Sequence, residues 1–158
     1  MTPLASDRAG ITAWAEDLTD AIAADHQFQQ VAVLIHDADA DGLRLVTQRW
    51  ASSQDLGLLV AGEWVVPLVG SICGRVYRTG IPALASDVTL DPDFLSFSGG
   101  RTRSELAVPI VIDGATVGVV NLEAPFVSAF GIADLEVVRT RIREAAPGFP
   151  VAVGDRIG

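Results

Sequence analysis

Asp113-Gly114, set between two runs of Val, Ile and Leu, limits what this chain can fold into more than any other pair of residues in it. Asp-Gly is a favoured two-residue hairpin turn because both central positions accept φ > 0. Ser104 to Pro125 therefore reads as a β-hairpin. A tight turn pairs Ile112 with Ala115, and counting outward pairs Ile110 with Val117, Val108 with Val119, Leu106 with Asn121 and Ser104 with Glu123. That face is apolar until its last two pairs. The other face carries Ala107, Pro109 and Val111 against Val120, Gly118 and Thr116, so the hairpin belongs to a sheet covered on both sides. The same register puts Glu105 on the face opposite Asn121 and Glu123. The three acidic and amide residues share a face only if a bulge, for example at Pro109, shifts the alternation.

The 158 residues suit one domain with a core of its own, and a composition of 49% apolar and 20% charged residues argues for a globular fold. A single cysteine, Cys73, excludes an internal disulfide and a cysteine-based zinc site, which fits a cytoplasmic setting. The net charge is −9 and the chain has no lysine, so a phosphate backbone is a poor partner and no nucleic-acid role is expected. Met1 to Gly10 does not resemble a leader, and the apolar run Leu56 to Gly70 is broken by Glu63 and too short to span a bilayer. A soluble protein away from membranes is expected.

Along the chain, Ser6 is placed to cap a helix in which Ile11, Trp14, Leu18 and Ile22 recur at helical spacing. That stripe fits packing on the sheet and equally pairing with a second copy in a homodimer. Val31 to Ile35 and Leu43 to Trp50 read as neighbouring strands. Asp37, Asp39, Asp41 and Gly42 between them match the first half of a calcium loop, but Gln48 occupies the position that needs a bidentate carboxylate. A solvated acidic turn explains the run, and no metal site is expected. Trp64 to Leu68 suits a short strand ending at Pro67, and Ala83 to Ala85 another. Between them, Ser71 as N-cap, Gly80 as stop and Pro82 beyond it define a short helix. Its N-terminus suits an anion or polar ligand tip, and Cys73 in its first turn would be favoured as thiolate. A small buried cysteine is the plainer reading of Cys73. Asp91-Pro92 begins another helix ending near Phe97, and Leu135, Val138, Ile142 and Ala145 mark a last one, stopped by Pro147-Gly148.

Four segments resemble the GAF family of small-molecule-sensing domains: Gly70-Ser71-Ile72-Cys73-Gly74-Arg75-Val76 with Thr79-Gly80; Asp87-Val88 with Asp91-Pro92; Ser104 to Pro109 with Gly118 to Leu122; and Phe130 to Leu135. The resemblance implies an α+β fold with a central antiparallel sheet of five or six strands. Terminal helices lie on one face, and short helices and loops form a pocket on the other. It assigns residues 1–158 to a single GAF domain, with an N-terminal helix in 1–28, a core over 29–146 and a tail over 147–158.

Within that family, cyclic-nucleotide binders carry an Asn-Lys signature, which a chain without lysine lacks, and bilin attachment favours a histidine after cysteine, where Gly74 stands here. Cofactors are therefore left unassigned. The resemblance implies a non-catalytic sensing or signal-transduction domain that binds a small polar or anionic ligand such as nitrate. Its expected partners are that ligand or a separate signalling protein. The implied pocket residues are Trp64, Ser71, Cys73, Tyr77, Phe94, Phe97, Glu105, Asn121 and Glu123, of which the aromatic members serve equally well as core. An enzymatic alternative follows from similarity to free methionine-(R)-sulfoxide reductases around Cys73-Gly74, Asp87-Val88 and Ser104-Glu105. Their nucleophile position falls on Ser98 and their paired aspartates on Asn121 and Glu123, so such an enzyme would have to use Cys73 with external thiol. A ligand-free dimerisation or protein-interaction module is the third alternative.

Overall fold

The computed structural model describes residues 7–25, 30–50, 61–96 and 101–150. Ser6, the stretch 51–60, Phe97 and Ser98, and the tail beyond Pro150 lie outside them. In chain order the elements are α1 (Arg8–Asp25), β1 (Gln30–Asp37), β2 (Gly42–Trp50), β3 (Val65–Pro67), α2 (Ile72–Thr79), β4 (Ala83–Ala85), β5 (Ser104–Ile112), β6 (Ala115–Ala124) and α3 (Ile132–Ala145). The strands form one antiparallel sheet in the order β3-β2-β1-β6-β5-β4, with the predicted hairpin inside it. This is the α+β architecture that the sequence implied.

Two apolar layers cover the sheet. On one face Ile11, Trp14, Leu18 and Ile22 of α1 and Leu135, Val138 and Ile142 of α3 pack on Val31, Val33, Leu106, Val108, Val120 and Leu122. The α1 stripe is thus buried against the chain's own sheet. Trp14 donates its indole N–H to the Ala145 carbonyl at 2.8 Å and meets Phe149 edge-on, with ring centres 4.9 Å apart, tying both terminal helices together. On the other face Ile72, Cys73 and Val76 of α2 pack on Ala32, Leu34, Leu43, Leu45, Ala107 and Val119. No helix among the described residues is long and apolar enough to cross a membrane.

The hairpin register departs from the tight count by one residue. Asp113 and Gly114 both have positive φ, as the turn requires, and Ile112 faces Ala115. Val111 then faces Thr116, but Ile110 faces Gly118, leaving Val117 as the extra residue of a bulge. Beyond it Val108 faces Val120, Leu106 faces Leu122 and Glu105 faces Glu123. The bulge lies on β6 rather than at Pro109, and its consequence is the one that Glu105 needed. Glu105, Ala107, Val119, Asn121 and Glu123 now share the face beneath α2.

One local expectation fails for an identifiable reason. Residues 91 to 96 form a turn and not a helix, because the Asp91 carboxylate accepts the Asp93 backbone N–H and is held by Arg75, and Phe94 N–H closes one turn on the Asp91 carbonyl. Asp37 is not free to receive an ion. It accepts from the backbone N–H groups of Asp39 and Ala40 and pairs with Arg44 at 2.7 Å, which holds its carboxyl below the usual carboxylate range. Among the described residues no cluster of three or more metal-ligating side chains is present.

Candidate functional site

The polar residues of the sheet gather at one end of the α2 face. Register places Gln30 of β1 beside Glu123 of β6, Glu123 beside Glu105 of β5, and Asn121 beside Ala107 one step inward. All four side chains are buried: Glu105 is 2% exposed and Glu123 0%. Gln30 donates its amide to Gln48 at 3.0 Å, which leaves its own oxygen without a partner. Among the described residues the buried side-chain atoms lacking a hydrogen bond are Gln30 Oε1, Glu105 Oε2, Asn121 Oδ1 and both oxygens of Glu123. Every one is an acceptor. Buried acceptors without donors are costly, about 1 to 3 kcal/mol each and more when charged. Their concentration in one patch is therefore the chemical signature of this face.

The electrostatics follow from burial and crowding. Loss of water, then the neighbouring Glu123, push the Glu105 carboxyl well above the ordinary glutamate value. Burial likewise raises Glu123, to about 7, against lowering influences from Glu105, Thr102 and Asn121. The two carboxyls and Asn121 are thus close enough to act on one another although Glu123 has no hydrogen bond of ordinary geometry. Two adjacent buried acids retain a proton far longer than an isolated one.

Cys73 lies fully buried in the first turn of α2 and faces this patch. Burial, then the charges of Glu105 and Glu123, push its thiol well above the ordinary value. The expectation that the helix N-terminus favours thiolate is corrected: a partial helix charge is outweighed by full desolvation beside two acids. Ser71 does cap α2, accepting from Gly74 N–H at 2.9 Å, and its hydroxyl donates to the Pro67 carbonyl. It is buried under the helix, where it meets one of the first-turn N–H groups. Gly80 ends the helix in the left-handed conformation.

The remaining predicted residues spread out. Tyr77 stacks on His36, ring centres 4.8 Å apart, away from the acid pair, and Phe94 packs half-buried against the α2-side core. Trp64 precedes β3, 38% exposed, with β2 and β1 between it and β6. Phe97 lies outside the described residues. The structure adds Gln30 and Thr102 to the face. Gln30 would follow from extending the β1 alternation one residue before Val31, since positions 30, 32 and 34 share a side. Thr102, buried between two exposed arginines, shows that the segment before Ser104 already runs along the sheet.

A strap holds the cover in place. Arg75 of α2 makes a two-point contact with Asp91, at 2.8 and 3.0 Å, and reaches Asp93 at 2.7 Å. The pairing raises the arginine and lowers Asp91, and all three groups are partly shielded from water. Arg75→Ala should lower stability by about 1 to 2 kcal/mol, between the values for exposed and buried pairs, and should speed proteolytic cleavage within residues 86–95. Urea denaturation and limited proteolysis measure the two effects; an unchanged midpoint would show the pairing to be ornamental.

A separate cleft of about 610 Å³ opens at the opposite end of β1, lined in part by Arg8, Ile11, Glu16, Asp37 and Arg44. None of the predicted site residues lines it. Asp37 and Arg44 answer each other there, whereas the acceptor patch has unmet demand, which makes the patch the better candidate.

Comparison with known proteins agrees with the fold. The protein YtsP of Bacillus subtilis is 26% identical over 131 residues, covering 76% of this chain and 74% of YtsP. A substrate complex of free methionine-R-sulfoxide reductase from Neisseria meningitidis superposes with a TM-score of 0.73 at 22% identity, covering 91% of this chain and 82% of that one. The GAF domain/HD domain protein of Geobacter sulfurreducens gives the same score at 16% identity, covering 91% and 94%. A sequence profile of the GAF domain matches residues 10–146, and with the six-stranded sheet and its two covered faces this places the chain in the GAF family.

Proposed function

We propose that this GAF domain is a non-catalytic binding module whose ligand is a small molecule bearing a cationic donor group, with a primary ammonium as the best fit. The observation that carries the reading is the patch of unpartnered buried acceptors contributed by Gln30, Glu105, Asn121 and Glu123. An ammonium offers three donors and a positive charge, which answers both the hydrogen-bond demand and the charge of the acid pair. An anion such as nitrate would meet carboxylates, and Ser71 already takes up the Gly74 N–H of the α2 N-terminus. The sequence pointed to a small polar or anionic ligand; the unpartnered acceptors favour a polar ligand of the opposite charge.

The reductase alternative has the fold likeness to the Neisseria enzyme in its favour. Against it stands the setting of Cys73, buried and pushed toward the neutral thiol, since attack on a sulfoxide requires thiolate. In the binding reading, occupancy passes to a separate signalling protein or across a homodimer. Such pairing would use the outer side of α1, because Ile11, Trp14, Leu18 and Ile22 already face the sheet.

The test is thermal unfolding against a panel of amino acids, small amines, methionine sulfoxide, nucleotides and nitrate, with and without dithiothreitol. An ammonium compound present at 100 times its Kd should add about 2.7 kcal/mol to the folded state. Stabilisation by nitrate and not by amines would reverse the charge assignment. Thiol-dependent consumption of methionine sulfoxide would establish the enzyme. Silence across the panel would leave a protein-interaction module.

A further inference from the structure

We propose that Glu105 and Glu123 share one proton in the ligand-free protein near neutral pH and release it when a cationic donor enters the patch, so that ligand affinity rises with pH. The inference rests on the cationic-ligand reading above and concerns how that site is regulated.

The geometry carries the first half. The two glutamates stand directly opposite on adjacent antiparallel strands and point to the same face, a relation that brings side chains to within about 5 Å at their Cβ atoms. Both are buried, and like charges at that spacing without water cannot both ionise unless a cation intervenes. No described residue supplies that cation. From α2 the facing group is the neutral Cys73 thiol. From residues 86–95 it is Asp91, a further negative charge acting on Glu105, and the cation beside it, Arg75, is already engaged by Asp91 and Asp93. From β6 it is Asn121, from β1 Gln30 and from the segment before β5 Thr102, all uncharged. Arg101 and Arg103 flanking Thr102 are exposed, and Arg103 acts on Asp87. Residues 97–100, Phe-Ser-Gly-Gly, carry no titratable side chain.

The second half follows from charge balance. Before binding, the pair is one carboxylic acid and one carboxylate, with net charge −1. An incoming R–NH₃⁺ makes the doubly ionised pair favourable; the O–H bond of the acid breaks, its proton leaves to solvent, and the occupied site holds two carboxylates and one ammonium, again −1. One proton released per ligand makes affinity climb about tenfold per pH unit until the pair is ionised without help.

The experiment uses the full chain. Carboxyl ¹³C NMR with labelled glutamate follows the ligand-free protein through a pH titration, with Glu105→Gln and Glu123→Gln assigning the two signals. One signal titrating far above the others is expected; both titrating with the exposed glutamates would overturn the shared proton. Calorimetric titration with methylammonium, L-methionine and L-methionine sulfoxide, at about pH 6 and about pH 8 in buffers of different ionisation enthalpy, reads proton release. At least a tenfold gain in affinity with close to one proton released is expected for any probe that binds. Binding without proton release overturns the release step. Failure of all three probes overturns the cationic-ligand reading and the release step with it, whatever NMR shows for the pair.

Discussion

Gly118→Ala should destabilise the protein by about 3 kcal/mol or more, enough to reduce soluble yield, while the same change at Gly114 should cost less. A methyl group at position 118 would run into the backbone carbonyl oxygen of Leu34 on β1, with the Ile35 side chain and Cα close behind. Backbone atoms of a central strand cannot step aside, since β1 is hydrogen-bonded to β2 on one side and β6 on the other. At Gly114 nothing lies within reach of an added methyl, and the cost is only that of positive φ in the turn. Urea denaturation of both variants measures the difference. A larger loss at Gly114 would mean that the turn and not the bulge fixes the hairpin. The consequence extends beyond stability, because the bulge at Val117 and Gly118 is what places Glu105 opposite Glu123. Any Gly118 variant that folds by slipping to the unbulged register would send Glu105 to the α1 side and dismantle the acceptor patch.

This one-residue shift also explains what could be read from the sequence and what could not. Asp113-Gly114 announces the turn, and the Val, Ile and Leu runs announce the strands, because both signals are local. Helical periodicity found Ile11, Trp14, Leu18 and Ile22 in α1 and Leu135, Val138 and Ile142 in α3 for the same reason. The bulge lies beside the close approach of β1 to Gly118, a contact about eighty residues away in the chain, and no local signal marks it. A count outward from the turn therefore pairs Leu106 with Asn121, where the folded strand pairs it with Leu122. The missing helix at Asp91 has a similar origin: Asp91-Pro92 is a good start, but Arg75, sixteen positions earlier, takes the carboxylate for another purpose. Cys73 shows the limit for electrostatics. Its place in a first helical turn is legible, whereas its neighbours Glu105 and Glu123 belong to other strands, and they and burial decide its ionisation. Cys73, Glu105, Asn121 and Glu123 gather at one end of the α2 face, while Trp64 lies beside β3 and Tyr77 against His36.

The stability of the protein should fall as pH rises from about 5 to about 7, and Glu123→Gln should remove much of that fall. Glu123 has a folded value near 7 against an ordinary value of 4.5, so between these limits the folded state binds more protons than the unfolded one. Stability from this group is therefore complete below about 4.5, declines as pH rises, and reaches its minimum once the folded carboxyl has ionised. The difference corresponds to roughly 3 kcal/mol. Asp37 and Asp91 act in the opposite sense, because their arginine partners hold them below their ordinary values; their contribution is present above about 4 and lost at lower pH. The two trends place the stability maximum near pH 4 to 5, more acid than the usual 5 to 8. The general repulsion of a chain with net charge −9 pushes the same way, but it is nearly unchanged by one substitution, so the variant isolates the pair. Urea unfolding at intervals from about pH 4 to about pH 8 should show the Gln variant equal to the parent within about 1 kcal/mol at the acid end and roughly 3 kcal/mol more stable at the other. Its amide also supplies a donor to the neighbouring Glu105, adding to the gain. A parent protein whose stability is level or rising between pH 5 and 7 would mean that both carboxyls already have partners. The expected gain in Glu123→Gln would come with loss of cation binding, the trade that marks a buried charge kept for its ligand rather than for the fold.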